Sequence, residues 1–344
     1  MVQAEATRQL TYTMAGNEAI HQEMARDPKI FIMGEDIAGA AGKEDQGFVD
    51  AWGGPFRLTK GLIVEFGKDR VRDTPISEAG FIGAGVGAAA TGLRPIVDLM
   101  FVGFVGVCAD QIFNNAAKIH YMFGGKVKVP ITIMTGVGAG ASSAAQHSES
   151  LYAIFTHFPG LKCVVPSDAY SMKGLMAAAI RDDDPVCVFN HKLLMSVRSE
   201  HDVPEDPYVL PIGKARVVRE GTDITLIGIG ITTTTCRKAA DELEGHGYSA
   251  EVIDLLSISP LDTETIVESV KKTRGVVVVD EDYPRCSVSS DVSALVAEEA
   301  FDYLNAPPRR VTPPHTSVPY SPALEKLYLP SQDKVVAAAL EVLQ

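Results

Sequence analysis

The sequence has 344 residues, 46% of them hydrophobic and 22% charged, a balance typical of a soluble globular protein of about two domains. Its formal net charge of −13 argues against a nucleic-acid partner or an anionic membrane surface and leaves basic protein partners open. The five cysteines show neither CxxC nor paired Cys/His spacing, which predicts reduced thiols and no zinc site. Because it has no signal-peptide pattern and no long apolar run, we expect a cytoplasmic protein.

Short β-branched runs alternate with helix-like segments through the first half of the chain, a pattern that predicts a parallel sheet flanked by helices. The apolar runs are nearly continuous, as expected for strands that are covered on both faces. We therefore predict one α/β domain over residues 1–200. In chain order its segments are KIFIMGED, FRLTKGLIVEFG, RPIVDLMF, ADQIFNNAAKIHYM, VPITIMTG, LKCVVPS, DAYSMKGLMAAAIRD and PVCVFNH.

Proline and acidic residues interrupt this alternation between Ser199 and Pro211, which predicts a linker over 201–211. A second α/β domain is predicted over 212–344, closing with a helix from Gln332 to Gln344. Its segments are TDITLIGIG, CRKAADELEGHG, AEVIDLLSI, DTETIVESVKKT and RGVVVVDED.

Two glycine-rich stretches match the loose dinucleotide pattern G-x-G-x-x-A, GAGVGA from Gly83 and GVGAGA from Gly136. The first follows no strand, and its small residues favour a closely packed helix. The second follows a strand, but no acidic residue stands about 20 positions further on to bind a ribose. An NAD-dependent oxidoreductase is therefore the alternative from a different class, and this missing acid counts against it.

Glu78 and His147 are the residues that stand out chemically. Glu78 directly precedes an uncharged apolar segment, where burying a carboxylate is costly unless something pairs with it. It is either a helix-start residue or a working acid. His147 lies in AAQHSES, after the second glycine turn, and a lone histidine is either structural or catalytic. The residues alone leave both alternatives open.

Several longer motifs, taken together, point to a protein family and so to roles for Glu78 and His147. They are RVRDTPISEAGFIGAGVGAAATGLRPIVDLMF, DQIFNNAAK, QHSES and PGLKCVVPSDAYSMKGLMAAAIRDDDPV. Over essentially its whole length the chain resembles the β subunit of the thiamin-diphosphate-dependent E1 component of 2-oxo acid dehydrogenase complexes. Four stretches are most similar to the acetoin dehydrogenase branch: GEDIAGA…DAWGG, MFGGK, NHKLLM and PPHTSVPYSPALEKLYLP.

The resemblance implies an α/β fold of two domains, a pyrimidine-type thiamin-diphosphate-binding domain with a parallel sheet and a transketolase C-terminal-like domain. It implies an E1 oxidoreductase that cleaves acetoin and transfers the acetyl unit to a lipoyl group. A pyruvate or branched-chain 2-oxo acid dehydrogenase E1 β subunit is the nearest alternative, since the same residues would serve a decarboxylation.

The resemblance also implies roles for individual residues. Glu78 matches the carboxylate that hydrogen-bonds N1′ of the cofactor's aminopyrimidine, and Phe104 matches the ring that stacks on that pyrimidine. Ile76 and Met100 match residues lining the same pocket. His147 matches the active-site histidine that acts on the acyl intermediate or during transfer to the lipoyl arm.

Two positions depart from the family pattern. Glu149 stands where glutamine is usual, which changes the charge beside His147. Gly103 stands where a larger polar residue is common, which changes the size of the pocket near Phe104.

The family's diphosphate and Mg²⁺ motif, a Gly-Asp-Gly followed by an Asn pair, is absent from the sequence. The resemblance therefore implies that an E1 α subunit holds Mg²⁺ and the diphosphate, in an α₂β₂ heterotetramer that serves a lipoyl-bearing E2 acyltransferase. Some relatives also bind K⁺ through carbonyl oxygens, ligands suited to a hard cation. The matching positions are Ile131, Thr132, Ala179, Asp182 and Asp184.

Overall fold

The computed structural model of the protein describes residues 8–38 and 52–344. Part of the branch motif GEDIAGA…DAWGG lies outside the described residues. The chain divides into two compact units, the first comprising 1–136, 158–162 and 168–211 and the second comprising 137–157, 163–167 and 212–344. The domain limits taken from the sequence, 1–200 and 212–344 around a linker at 201–211, stay predictions.

The strands of the first sheet are β1 (Ile30–Gly34), β2 (Val71–Asp73), β3 (Arg94–Phe101), β4 (Thr132–Val137), β5 (Lys162–Val164) and β6 (Val186–His191). They lie in the order β5-β6-β4-β3-β1-β2, and β1 pairs in parallel with both β2 and β3, as β3 does with β4. Every residue of β1, β4 and β6 is buried. The prediction of continuous apolar strands covered on both faces is thus confirmed.

Side-chain caps mark the starts of two helices of the first unit. The Thr11 side chain accepts the Met14 N–H at 3.2 Å, and Asp168 and Ser171 form a capping box. Gly16 lets the two helices that begin here pack closely, since an added Cβ would lie 2.4 Å from Met172 Cε. The helices are α1 (Tyr12–Arg26), α2 (Leu62–Phe66), α3 (Glu78–Ala90), α4 (Val105–Ala109), α5 (Ile119–Met122) and α7 (Ala169–Arg181).

The helix-like segment ADQIFNNAAKIHYM is not one regular α-helix. Residues Asp110–Ala116 form a π-helix, and the four-residue α5 follows it. Asp110 supports the wider turn, because Asn115 Nδ2 donates to both its backbone carbonyl and its carboxylate at 3.1 Å. Such turns are rare and frequently lie at functional sites.

The second unit carries its own sheet in the order β12-β11-β8-β9-β7, parallel except that β7 runs antiparallel to β9. These strands are β7 (Arg216–Arg219), β8 (Ile224–Gly228), β9 (Ala250–Asp254), β11 (Val276–Val279) and β12 (Arg309–Val311). The short β10 (Ser257–Ser259) pairs antiparallel with Cys163 and Val164, which cluster with this unit.

The helices of the second unit are α6 (Tyr152–Thr156), α8 (Thr232–Gly245), α9 (Thr263–Thr273), α10 (Val288–Glu299), α11 (Pro322–Tyr328) and α12 (Gln332–Leu343). The predicted last helix is confirmed as α12. The helix α8 begins at Thr232 and not at Cys236, because the Thr232 hydroxyl bonds the Ile229 N–H at 2.8 Å. In the described part of the chain, no helix combines the length and the hydropathy needed to cross a membrane.

Candidate functional site

Glu78 is the first residue of α3 and lies half-buried behind its N-cap, Ser77. The partial positive charge of a helix amino terminus favours a carboxylate there. Within residues 8–38 and 52–344, Glu78 forms no hydrogen bond or ion pair. The helix-start alternative is therefore confirmed, and a role of the Glu78 carboxylate as a working acid stays a prediction.

One further carboxyl group, Glu35, interacts electrostatically with Glu78, and a second, Asp98, interacts with Glu35; the sequence reasoning missed both. Burial raises the pKa of Glu35, and the charges of Asp36 and Glu78 raise it further. Burial raises the pKa of Asp98 to about 7, against the lowering effect of the Met100 N–H, which donates to Asp98 at 2.9 Å. No local pattern in the sequence signalled these residues, because strand register places Asp98 opposite Gly34 and so brings Asp98 near Glu35.

Three aromatic rings and Met100 adjoin these acids at the end of β3. The Phe104 ring meets Phe101 edge-on with centroids 5.7 Å apart, and Phe101 meets Phe56 in the same way at 5.4 Å. Met100 has a left-handed backbone, with φ at 65°, in a register shift between Asp98 and Phe101. Pairing with β4 resumes at Phe101, and the chain leaves the strand for the 3₁₀ turn that contains Phe104.

Glycines near these rings allow close packing, because a larger side chain would clash with a neighbour. An added Cβ at Gly136 would lie 2.6 Å from Phe56 Cζ, and one at Gly85 would lie 2.7 Å from Val97 Cγ2. The interpretation of GAGVGA as a closely packed helix is confirmed, because the stretch lies inside α3. Gly103 lies in the 3₁₀ turn Val102–Phe104, directly before the Phe104 ring.

The predicted pocket residues of the first unit thus lie on two neighbouring stretches. Ile76 and Glu78 lie just before and at the start of α3, and Met100 and Phe104 lie near the end of β3 and just after it. Phe104 and Met100 are half-buried, and Ile76 is 76% exposed. A half-buried carboxylate beside partly open apolar and aromatic side chains fits a flat heterocycle that carries a basic nitrogen.

His147 lies in the second unit, at the end of the 3₁₀ turn Ala145–His147, and is half-buried. The turn belongs to a loop that is closed at its base, where the Gly138 N–H donates to the Glu149 carbonyl at 2.9 Å. Inside this loop Ser142 and Ala144 have left-handed backbones, with φ at 51° and 59°. Such conformations in residues other than glycine persist when neighbours enforce them, and they cluster at functional sites.

Glu149, which stands where the family usually has glutamine, has a hydrogen-bond partner in the second unit. The Tyr283 hydroxyl donates to Glu149 Oε1 at 3.1 Å. Burial raises the pKa of Tyr283 to about 12, and the Glu149 charge adds to the rise. The carboxylate that replaces the usual glutamine is therefore bonded by a protonated phenol.

The backbone positions predicted for K⁺ lie near one another in the first unit. The Ile131 carbonyl accepts the Val186 N–H at 3.0 Å, and the Asp182 N–H donates to the Ala179 carbonyl at 3.3 Å. Thr132 begins β4, and Asp184 follows the end of α7. Within the described residues, no three His, Cys, Asp or Glu side chains could hold a metal ion together.

Cationic side chains already contact Asp182 and Asp184, two of the residues predicted to bind K⁺. Lys162 Nζ lies 2.8 Å from the Asp182 carboxylate and 3.0 Å from that of Asp184. Arg94 Nη2 donates to the Asp182 carbonyl. The side-chain charges are therefore largely neutralised, and a K⁺ ion here would depend on the backbone oxygens.

Comparison with known families matches both halves of the chain. The family described as "Transketolase, pyrimidine binding domain" matches residues 8–197, and "Transketolase, C-terminal domain" matches residues 213–335. The gap between the two matches includes the proline-rich segment from Ser199 to Pro211. A solved structure titled "Split gene transketolase, inactive beta4 tetramer" shares the fold with a TM-score of 0.73, at 24% identity over 97% of this chain and 98% of that one.

Relatives of known name match over nearly the full length. The "Acetoin:2,6-dichlorophenolindophenol oxidoreductase subunit beta" of Bacillus subtilis is 51% identical over 98% of this chain and 98% of its own. The "Pyruvate dehydrogenase E1 component subunit beta" of Rhizobium meliloti is 45% identical over 97% of this chain and 70% of its own. The two-domain α/β fold expected from the sequence is confirmed.

Proposed function

The chain belongs to the transketolase-like family of thiamin-diphosphate-dependent E1 β subunits, and on this premise we propose that it is the β subunit of an acetoin-cleaving E1 enzyme. The enzyme would transfer the acetyl unit to a lipoyl group. The observation that carries the proposal is the half-buried Glu78 carboxylate, which starts α3 and has no hydrogen-bond or ion-pair partner within the described residues.

When bound, thiamin diphosphate supplies the nucleophilic carbon and the electron sink that C–C bond cleavage requires. Glu78 would hydrogen-bond N1′ of the aminopyrimidine and share a proton with it, and this pairing would offset the cost of burying a carboxylate beside apolar residues. Phe104 offers its ring to the face of the pyrimidine, while Met100 and Ile76 line the pocket. These residues bind and orient the pyrimidine half of the cofactor.

His147 is proposed to act on the acyl group during its transfer to the lipoyl arm. The half-buried imidazole on a conformationally restricted loop supports this role, because a group that handles a proton must be held in place. Tyr283 bonds Glu149, which limits the effect of the Glu149 charge on the loop.

An E1 α subunit is the proposed partner, in an α₂β₂ assembly that delivers the acetyl unit to a lipoyl-bearing E2 acyltransferase. The α subunit would hold Mg²⁺ and the diphosphate, because the sequence has no Gly-Asp-Gly motif for them. A net charge of −13 also disfavours holding a diphosphate without a metal ion from elsewhere.

A K⁺ ion bound by the carbonyls of Ile131, Thr132, Ala179, Asp182 and Asp184 remains part of the proposal. Neutral carbonyl oxygens suit such a cation, and these segments already adjoin through backbone hydrogen bonds. Thermal unfolding of the assembled enzyme in potassium chloride and in choline chloride tests the site. Equal melting temperatures in the two salts would remove it.

The second candidate function is that of a pyruvate or branched-chain 2-oxo acid dehydrogenase E1 β subunit, favoured by the 45% identical relative. The same side chains would serve a decarboxylation in place of aldehyde release. Purified complex of this chain and its α subunit should be assayed with acetoin, pyruvate and branched 2-oxo acids, using dye reduction as the readout. We expect the highest kcat/KM for acetoin, and a preference for pyruvate would favour the second candidate.

A further inference from the structure

Glu325 lies far from His147 in sequence but is bonded to the loop that carries it. The carboxylate is 2% exposed and accepts three hydrogen bonds from two residues of that loop. Glu325 Oε1 accepts the Gly140 N–H at 2.6 Å, and Oε2 accepts the Ser142 N–H at 2.9 Å and its hydroxyl at 3.2 Å. Both oxygens of the carboxylate are thus used on one stretch of backbone.

The bonded stretch leads directly to His147. Ser142, which Glu325 holds, has a left-handed backbone, as does Ala144, and Ala144 is the N-cap of the 3₁₀ turn Ala145–His147. Residues other than glycine adopt this conformation only when their surroundings enforce it. Glu325 supplies part of that enforcement at Ser142.

Two other groups that hold the loop act on different residues. Glu281 Oε1 accepts the Ala139 N–H at 2.6 Å, and Tyr283 donates to Glu149. These contacts hold the two ends of the loop, whereas Glu325 holds its middle. Losing Glu325 would therefore free the strained part of the loop while leaving the ends attached.

We propose that Glu325 is the positioning residue for His147, holding Gly140 and Ser142 so that the turn after Ala144 presents the imidazole in one orientation. The inference rests on the proposed role of His147 in transfer to the lipoyl group. Glu325 itself touches no reacting atom. A displacement of about 1 Å at a reacting group can cost about 10²-fold in rate.

The test uses the assembled complex with the α subunit and compares acetoin-dependent turnover with a lipoyl acceptor and with an artificial dye. His147→Ala should lower the lipoyl reaction more than the dye reaction. Glu325→Gln, which keeps the shape but places an amide NH₂ against a backbone N–H, should shift the ratio in the same direction, by about 10²-fold. The matched control is Glu341→Gln, whose side chain is 60% exposed, and it should leave both reactions unchanged.

A double variant separates positioning from general structural support. If Glu325 acts through His147, adding Glu325→Gln to His147→Ala should lower the lipoyl reaction no further. Hydrogen exchange of a peptide covering residues 138–149 gives a readout that needs no activity, and it should be faster in Glu325→Gln. Should Glu325→Gln fail to assemble, Ser142→Ala removes only the hydroxyl bond and should shift the ratio in the same direction by less.

Equal loss of the lipoyl and dye reactions in Glu325→Gln, or additive effects in the double variant, would overturn the positioning role. Unchanged exchange of residues 138–149 would overturn it independently of catalysis. A wild-type complex that is inactive on acetoin and on 2-oxo acids would instead contradict the proposed function, and the exchange experiment would still decide whether Glu325 holds the loop.

Discussion

At the scale of single residues, the carboxylates of Asp98 and Glu78 lie in different environments. Asp98 is fully buried within β3, and its pKa is raised to about 7. Glu78 lies half-buried at the amino terminus of a helix. Environment, more than residue type, therefore distinguishes the carboxylate that can serve as a working acid from the one that remains inside the fold.

Glu78→Gln keeps the size of the side chain and removes the carboxylate. We expect turnover of the assembled enzyme to fall by about 10²–10⁴-fold, the usual contribution of a positioned acid–base group. Initial rates with a dye acceptor measure the change. Glu220→Gln, an exposed carboxylate of the second unit, is the control and should leave the rate unchanged. Unaltered turnover in Glu78→Gln would remove the proposed role.

Asp98→Asn should change how stability depends on pH. The folded-state pKa of Asp98 is raised from 3.8 to about 7, so its contribution to stability is fully present below about pH 4 and is lost as pH rises through 7. The asparagine variant escapes this loss. Urea unfolding at pH 5 and pH 8 should show the variant gaining about 2–3 kcal/mol relative to wild type at the higher pH. Parallel pH profiles for both proteins would contradict the shift.

At the scale of elements, the helix α3 both carries a proposed catalytic residue and packs against the sheet. Its first residue is Glu78, and its buried residues include Phe81, Ile82, Gly85 and Val86. The glycine Gly85 allows the helix to approach β3 and the residue before β4, because an added Cβ would lie 2.7 Å from Val97 and 3.1 Å from Ile131. The orientation of Glu78 thus depends on glycine packing further along the same helix.

Two glycines of α3 form a matched pair for testing this packing. Gly85→Ala should destabilise the chain by about 1–3 kcal/mol, because the methyl group must displace Val97 from a close-packed core. Gly87→Ala meets nothing within 4 Å and should stabilise it by about 0.5–1 kcal/mol through helix propensity. Urea unfolding measures both. Equal free energies of unfolding for the two variants would disprove the close contact.

At the scale of the whole molecule, the proposed function gives this chain only part of a cofactor site. Its predicted pyrimidine residues are present, but the sequence has no diphosphate and Mg²⁺ motif and carries a net charge of −13. Calorimetric titration with thiamin diphosphate and Mg²⁺ should therefore show tight binding only when the α subunit is added. Micromolar, Mg²⁺-dependent binding to this chain alone would mean that the diphosphate site has been misassigned.

The sequence by itself determined the order and type of most elements, because hydrophobic periodicity and capping residues are local properties. It predicted the buried strands β1, β4 and β6 and the final helix α12. It gave a helix start as one of two alternatives for Glu78, because an apolar segment follows that residue. It also predicted the family, because the motifs around Glu78 and His147 are contiguous in the chain.

Only the tertiary structure decided which distant residues meet. Strand register places Asp98 opposite Gly34, directly before Glu35, and no local pattern encodes that pairing. The bond from Gly140 to Glu325 joins residues 185 positions apart, and the π-helix at Asp110–Ala116 replaces a predicted regular helix. Such arrangements depend on hydrogen bonds and packing between residues far apart in the chain. Local periodicity in the sequence therefore does not predict them.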